Sequence, residues 1–200
     1  MIDPRFVFLG ALLSLGGSTR YAWLTWRGRT RPNRITWSLW ALAPAVGFAA
    51  QVDEGVGLPA VLTLSIALGP AIIFLASFTN AAAYWRIRAF DLACGAVSLV
   101  ALWLWLALDQ PVAAVAAAVL ADLVAGIPTI RKAWAFPETE HWAVFALGGA
   151  NGVIAVLTLQ TWGIAEAAFP LYIAVLGTGV AVLVTARTRA SGRTWQGGAA

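Results

Sequence analysis

The sequence predicts an all-α membrane protein of seven transmembrane helices, arranged as two parallel three-helix bundles joined by a linking fourth helix. Three observations predict it. Of 200 residues, 60% are hydrophobic and only 11% are charged, against about 45–50% and about 25% in soluble globular chains. The apolar residues fall into seven runs, with the basic residues gathered in alternate connections between them. One stretch of the chain also resembles another, landmark by landmark, in the same order.

A helix needs roughly 20 apolar residues to cross a hydrocarbon core about 30 Å thick. With short loops, about seven crossings use the whole length and leave no room for a soluble catalytic domain. The runs extend from Phe6 to Trp26, Ile35 to Gln51, Val56 to Phe78, Asp91 to Leu108, Val112 to Lys132, Trp142 to Gln160 and Glu166 to Ala186. Stretches such as Val97 to Leu108 do not alternate apolar with polar residues, as spanning strands would. The first run follows a nearly neutral leader with Asp3 and Arg5 and lacks an A-x-A-type cleavage site, so it reads as a span rather than a removed signal. The residues from Ser191 to Ala200 are small, polar and glycine-rich, and a disordered cytoplasmic tail is expected there.

Charge fixes the orientation. Arg27, Arg29, Arg31 and Arg34 lie between the first two runs, Arg86 and Arg88 between the third and fourth, and Arg131 and Lys132 between the fifth and sixth. Arg187, Arg189 and Arg193 follow the seventh. Eleven of the thirteen basic residues thus share one side, while Asp3, Asp53, Glu54, Asp109 and Glu166 mark the other. The positive-inside rule then predicts a multi-pass protein of the plasma (inner) membrane, N-terminus outside and C-terminus cytoplasmic. The same asymmetry explains a pI near 10 through anionic lipid headgroups, with no need for nucleic acid.

The internal repeat is specific in register. Trp37-Ser-Leu-Trp40-Ala41-Leu42 aligns with Trp142-Ala-Val-Phe145-Ala146-Leu147, Gly47 with Gly152, and Ala50 with Ala155. Upstream, Thr25-Trp26 meets Ala133-Trp134; downstream, Leu58-Pro59 meets Phe169-Pro170. Runs one to three therefore match runs five to seven. A three-helix unit crosses an odd number of times, so a parallel duplication requires one linking helix, and the unmatched fourth run supplies it. The domains expected are residues 1–80 (first repeat), 81–110 (linking helix), 111–188 (second repeat) and 189–200 (tail). Parallel repeats of this kind are a transporter architecture.

With this 3+1+3 plan, an outside N-terminus, and Pro128-Thr129 followed by a basic loop and Trp134, the chain resembles the SWEET and PQ-loop family of seven-helix transporters over residues 6 to 188. The family carries proline followed by a polar residue near the cytoplasmic end of the first helix of each repeat; Arg20-Tyr21 stands at that place in the first repeat. The resemblance also implies hinges in the first two helices of each repeat. Pro44 and Pro128 occupy two of those places, and Arg20 and Gly149 the other two. A secondary transporter or facilitator of a small polar, sugar-like solute is what the resemblance implies; relatives of this architecture also carry vitamin precursors or amino acids.

Among single residues, Asp122 stands out, deep in the apolar run Val119 to Gly126. A carboxylate at that depth costs about 2.5–3.5 kcal/mol on insertion scales, so it faces a bundle interior or cavity. It reads as a proton or cation site, or a hydrogen-bond partner for a solute, against a structural partner for an interhelical donor. Arg20 either snorkels to the cytoplasmic face, about 9 Å away at 1.5 Å per residue, or pairs with Asp122 or an anionic group. Asn151, after Gly148-Gly149-Ala150, reads as a solute contact or as helix–helix glue. Trp40 and Phe145 form candidate stacking faces for a ring-shaped solute, against simple packing. Pro44, Pro128, Gly126 and Gly149 are the candidate hinges, and a static kink is the alternative at each proline. Trp23, Trp26, Trp37, Trp85, Trp134 and Trp142 read as an interfacial aromatic belt. The loop holding Arg131, Lys132, Glu138, Glu140 and His141 reads as solvated, with local ion pairs.

The composition also bounds the chemistry. One cysteine, Cys94, and one histidine, His141, supply no disulfide, cysteine metal site or multi-histidine site. No nucleophile–base set and no phosphate loop is visible, so neither an enzyme nor a cofactor is expected. A retinal Schiff base would need a lysine in the last run, and the sole lysine is Lys132. The partners expected are a small-molecule solute and the bilayer, with homo-oligomerisation left open. From a different class, a non-transporting membrane scaffold or receptor also fits, and a dry core with Asp122 paired and sealed would favour it.

Overall fold

The computed structural model describes residues 2–53, 58–107, 110–160 and 162–192, and the described residues are all helix, turn and loop, with no strand. Glu54, Asp109, Arg193 and the tail 194–200 lie outside them. Seven α-helices follow in order: α1 Phe6–Trp26, α2 Arg34–Asp53, α3 Leu58–Ala76, α4 Ala89–Ala107, α5 Pro111–Ala135, α6 Trp142–Leu157 and α7 Ile164–Ser191. Short 3-10 turns stand at Ala81–Ala83 and Pro137–Thr139.

Local chemistry sets these boundaries. Helix α1 ends in a Schellman arrangement: Gly28 takes φ 71°, its N–H donates to Thr25 O, and the Arg29 N–H donates to Leu24 O, both at 2.8 Å. A residue with a Cβ would be strained there. Asn33 caps α2, its Oδ1 accepting the N–H groups of Ile35 and Thr36 at 3.0 and 3.4 Å. At α4, Asp91 Oδ2 reaches back to the Arg88 N–H at 2.7 Å, half of a capping box. Pro111 opens α5 at the first turn, where a missing N–H costs nothing. Helix α7 runs through residues 189–191, which the sequence reading assigned to the tail. Arg187 and Arg189 are good helix formers, and the helix ends only at Gly192, in the left-handed conformation.

The packing has an internal symmetry. Helices α1 and α2 both pack on α3, and α5 and α6 both pack on α7. Across the middle, α1 packs on α6 and α2 on α5. Exchanging α1 with α5, α2 with α6 and α3 with α7 returns the same set of neighbours. Helix α4 lies outside this scheme, against α5 and α2.

One end of the bundle, here the basic end, gathers the connections carrying Arg27 to Arg34, Arg86, Arg88, Arg131 and Lys132, together with the α7 terminus. Arg31 N–H donates to Thr139 O at 2.9 Å, Asn80 Nδ2 to Trp26 O at 2.8 Å and Arg187 Nε to Trp134 O at 3.1 Å. The main core lies toward this end and includes Tyr21, Trp37, Ile73, Phe145, Val180 and Val184. A smaller cluster joins Ala101 and Leu102 of α4 to Ala121 of α5.

The outer surface is strongly apolar: Val175 is 72% exposed, Leu12 67% and Trp103 64%. Thr25, Thr36, Thr129 and Asn33, by contrast, are fully buried. Among the described residues, two helical stretches, Ala89–Ala107 and Glu166–Ser191, are long and apolar enough to cross a membrane, with mean hydropathy 1.9 and 2.1. Ile66–Ala76 and Trp142–Leu157 are shorter apolar segments.

Candidate functional site

Asp122 sits half-buried on α5, where α2 and α7 both approach. Its Oδ2 accepts a 2.8 Å hydrogen bond from the Tyr172 hydroxyl of α7. Its backbone carbonyl accepts one from Trp40 Nε1 of α2 at 3.1 Å. One turn along, a Cβ on Gly126 would lie 3.0 Å from the Trp40 ring, so the missing side chain lets the edge of the indole come up against α5. The turns before Pro128 offer two more carbonyls to neighbouring helices: Ser98 Oγ of α4 donates to Ala121 O at 2.5 Å, and Thr36 Oγ1 of α2 to Ala125 O at 2.7 Å. Both bonds tie neighbouring helices to the α5 backbone through side-chain donors. Pro128 itself is buried in α5, and Pro44 is half-buried in α2.

Three of the residues singled out from sequence, Asp122, Trp40 and Gly126, therefore meet at the α2–α5 seam. Asn151 does not join them. Its side chain lies against Gly10 of α1, at a point where any Cβ on Gly10 would collide with the amide. That is the α1–α6 seam, the counterpart of the α2–α5 seam under the exchange described above. Gly149 serves close packing within one half: a Cβ there would stand 2.8 Å from the Thr178 backbone nitrogen, and Gly152 and Gly177 make similar backbone approaches between α6 and α7.

Arg20 is exposed on α1 and its charge acts on His141 at the basic end. The Asp122 carboxylate takes Tyr172 as its partner instead. Burial first, and Arg20 second, hold the His141 imidazole below its ordinary pKa. Its Nδ1 accepts the Ala143 N–H at 3.3 Å, which leaves Nε2 as the protonated, donating nitrogen of the neutral ring.

The aromatic residues sort differently from the expectation. Trp23, Trp26, Trp134 and Trp142 are exposed at the basic end and Trp85 is half-buried, but Trp37 is only 3% exposed. Its ring stands 5.2 Å from Tyr21, 5.2 Å from Trp40 in an edge-on contact, and 6.2 Å from Phe145. Phe145 is buried in the core, and Trp37 stands between it and Trp40. Trp40 and Phe145 are thus bridged by a third ring, Trp37, which is buried rather than part of an interfacial belt.

The mixed-charge loop is the other correction. Lys132 and Glu140 are not solvated: their side chains are 1% and 0% exposed and pair at 2.5 Å. Glu140 Oε2 also accepts from the Tyr21 hydroxyl at 2.7 Å, and Lys132 Nζ donates to the Arg31 carbonyl. Two elements of the first half, α1 and the α1–α2 connection, are tied in this way to α5 and the α5–α6 connection of the second. Sequence reasoning missed Tyr21, Tyr172, Lys132 and Glu140 as working residues. The available signal was that Tyr21 and Tyr172 are two of only three tyrosines, and each lies in an apolar run.

Among the described residues, no group of three or more His, Cys, Asp or Glu side chains is placed to hold a metal ion. No protein-family model matches the chain, and no curated protein and no solved structure matches it either.

Proposed function

We propose that the chain crosses the membrane seven times, N-terminus outside and C-terminus cytoplasmic, and moves a small polar solute by alternating access between two three-helix halves. The observation that carries this reading is the Asp122–Tyr172–Trp40 group at the α2–α5 seam. It brings a carboxylate and a phenol of the second half beside an indole of the first, at the α2–α5 seam. The carboxylate hydrogen-bonds solute hydroxyls, Tyr172 orients it, and the Trp40 ring offers a face to a ring-shaped solute such as a sugar; a vitamin precursor or an amino acid fits the same group. The exchange symmetry of the packing supports two repeats joined by α4, and the exposed apolar surface supports a bilayer around them. The Lys132–Glu140 pair and its Tyr21 and Arg31 contacts tie the two halves together at the basic end; in this reading they hold that end shut while solute enters from the opposite one.

The test is uptake into vesicles reconstituted with the purified chain, over a panel of neutral sugars and amino acids. Asp122→Asn is expected to cut flux about 10- to 100-fold, the worth of one hydrogen bond to a charged group, with helical content unchanged. A wild-type chain that moves no solute faster than empty vesicles overturns the proposal. The Tyr172 bond also favours a second reading, a non-transporting scaffold in which Asp122 is a sealed structural partner. In that case Asp122→Asn and Tyr172→Phe lower thermal stability together and no flux exists to lose.

A further inference from the structure

We infer that the groove between α6 and α7 is a binding site for one anionic phospholipid of the leaflet at the basic end. The inference rests on the membrane-spanning reading but not on transport. The groove has a volume of about 540 Å³, and its walls include Ala146, Ala150 and Val153 of α6 facing Val182 and Ala186 of α7, within the about 300–1,000 Å³ typical of small-molecule sites. Trp142 and Arg189 stand at its basic end. Along α6 it runs from Trp142 to Val153, and along α7 from Arg189 back to Thr178. Either wall is about 16 Å at 1.5 Å per residue, half of a hydrocarbon core about 30 Å thick. The groove is therefore as deep as one leaflet, apolar along its length and cationic only at headgroup level, which is the shape and polarity of an acyl chain with its phosphate.

The mouth continues into a second depression that Arg189 also lines, with His141, Glu138 and Glu140. The Glu140 charge is matched by Lys132. Among the described residues that line the groove itself, Arg189 is the one charged side chain, whereas Glu138 lines only the adjoining depression, and the mouth favours an anion. Thr185 does not compete for the ligand, because its hydroxyl donates to Ala181 O at 2.8 Å. The donating Nε2 of His141 supplies a neutral hydrogen bond at the same level.

The experiment is native mass spectrometry of the full chain released from detergent, with phosphatidylglycerol and phosphatidylcholine offered in equal amounts. One phosphatidylglycerol per chain is expected to survive activation that strips phosphatidylcholine. Arg189→Gln is expected to weaken retention about fivefold, as for one basic residue lost at a membrane surface, and Ala150→Leu to weaken both lipids by filling the groove. Equal retention of the two lipids, or unchanged phosphatidylglycerol retention in Arg189→Gln, overturns the inference. So does a dimer cross-linked through Val182→Cys, since a second copy would then cover the groove. A chain soluble without detergent would instead overturn the membrane reading itself.

Discussion

Removing one member of the Lys132–Glu140 pair should be among the most damaging single changes in this protein. The two side chains are 1% and 0% exposed and 2.5 Å apart. Lys132→Met leaves Glu140 a buried carboxylate with Tyr21 as its remaining donor. Glu140→Leu leaves the Lys132 ammonium with the Arg31 carbonyl and the more distant Asp91 charge, without its paired carboxylate. Each single change is expected to cost about 3–5 kcal/mol, as for a buried pair deprived of one partner. For a chain of this size that is a midpoint lower by about 6–20 °C. The double variant, Lys132→Met with Glu140→Leu, strands no charge. It loses only the partners of the Tyr21 hydroxyl and the Arg31 carbonyl, and should cost no more than either single change. The cycle then gives a coupling of about 3 kcal/mol. Thermal and denaturant unfolding in micelles, followed by circular dichroism, measures all four corners. Single costs of about 0–1 kcal/mol, the range of exposed pairs, or simple additivity would refute the burial argument.

The remaining expectations are more compact. Gly152→Ala should destabilise by about 1–3 kcal/mol, because its Cβ would stand 2.5 Å from the Ala174 backbone nitrogen; Gly148→Ala, with nothing within 4 Å, is the neutral control in the same unfolding assay. His141 in the folded chain takes a proton less readily than its ordinary 6.5, so the unfolded chain binds more protons below that pH and stability should fall on acidification. His141→Gln should flatten the loss that sets in as the pH falls through about 6.5, read as midpoint against pH. Pro128→Ala restores a backbone donor to α5 and should slow vesicle uptake more than it changes the unfolding midpoint; unchanged uptake makes Pro128 a static kink.

The helices were legible in the sequence because their causes are local. Run length, Gly28, Asn33, Asp91 and Pro111 act within a turn or two of each boundary, and each predicted run lies within a few residues of an observed helix. Partner choice was not legible, because it is decided between helices. Trp37 and Trp142 occupy the same place in the repeat alignment, yet one is 3% exposed and the other 51%; only the arrival of Tyr21, Trp40 and Phe145 separates them. Asp122 drew attention as a lone carboxylate in an apolar run, but nothing near it in sequence names Tyr172, fifty residues on. Lys132 and Glu140 looked solvated because charge runs in loops usually are.

A further asymmetry follows from these partners. The alignment that pairs Trp26 with Trp134 also pairs Asp122 with Ser14 and Pro128 with Arg20. Asp122, Tyr172, Lys132 and Glu140 all belong to the later half of the chain, while Trp37, Trp40 and Tyr21 come from the earlier half. Two of these residues of the later half are met by aromatic donors of the earlier one: the Asp122 carbonyl by Trp40 and the Glu140 carboxylate by Tyr21. The carboxylate at 122 therefore has no acidic counterpart at position 14, and the match between the two stretches survives best in landmarks such as Trp26 and Trp134.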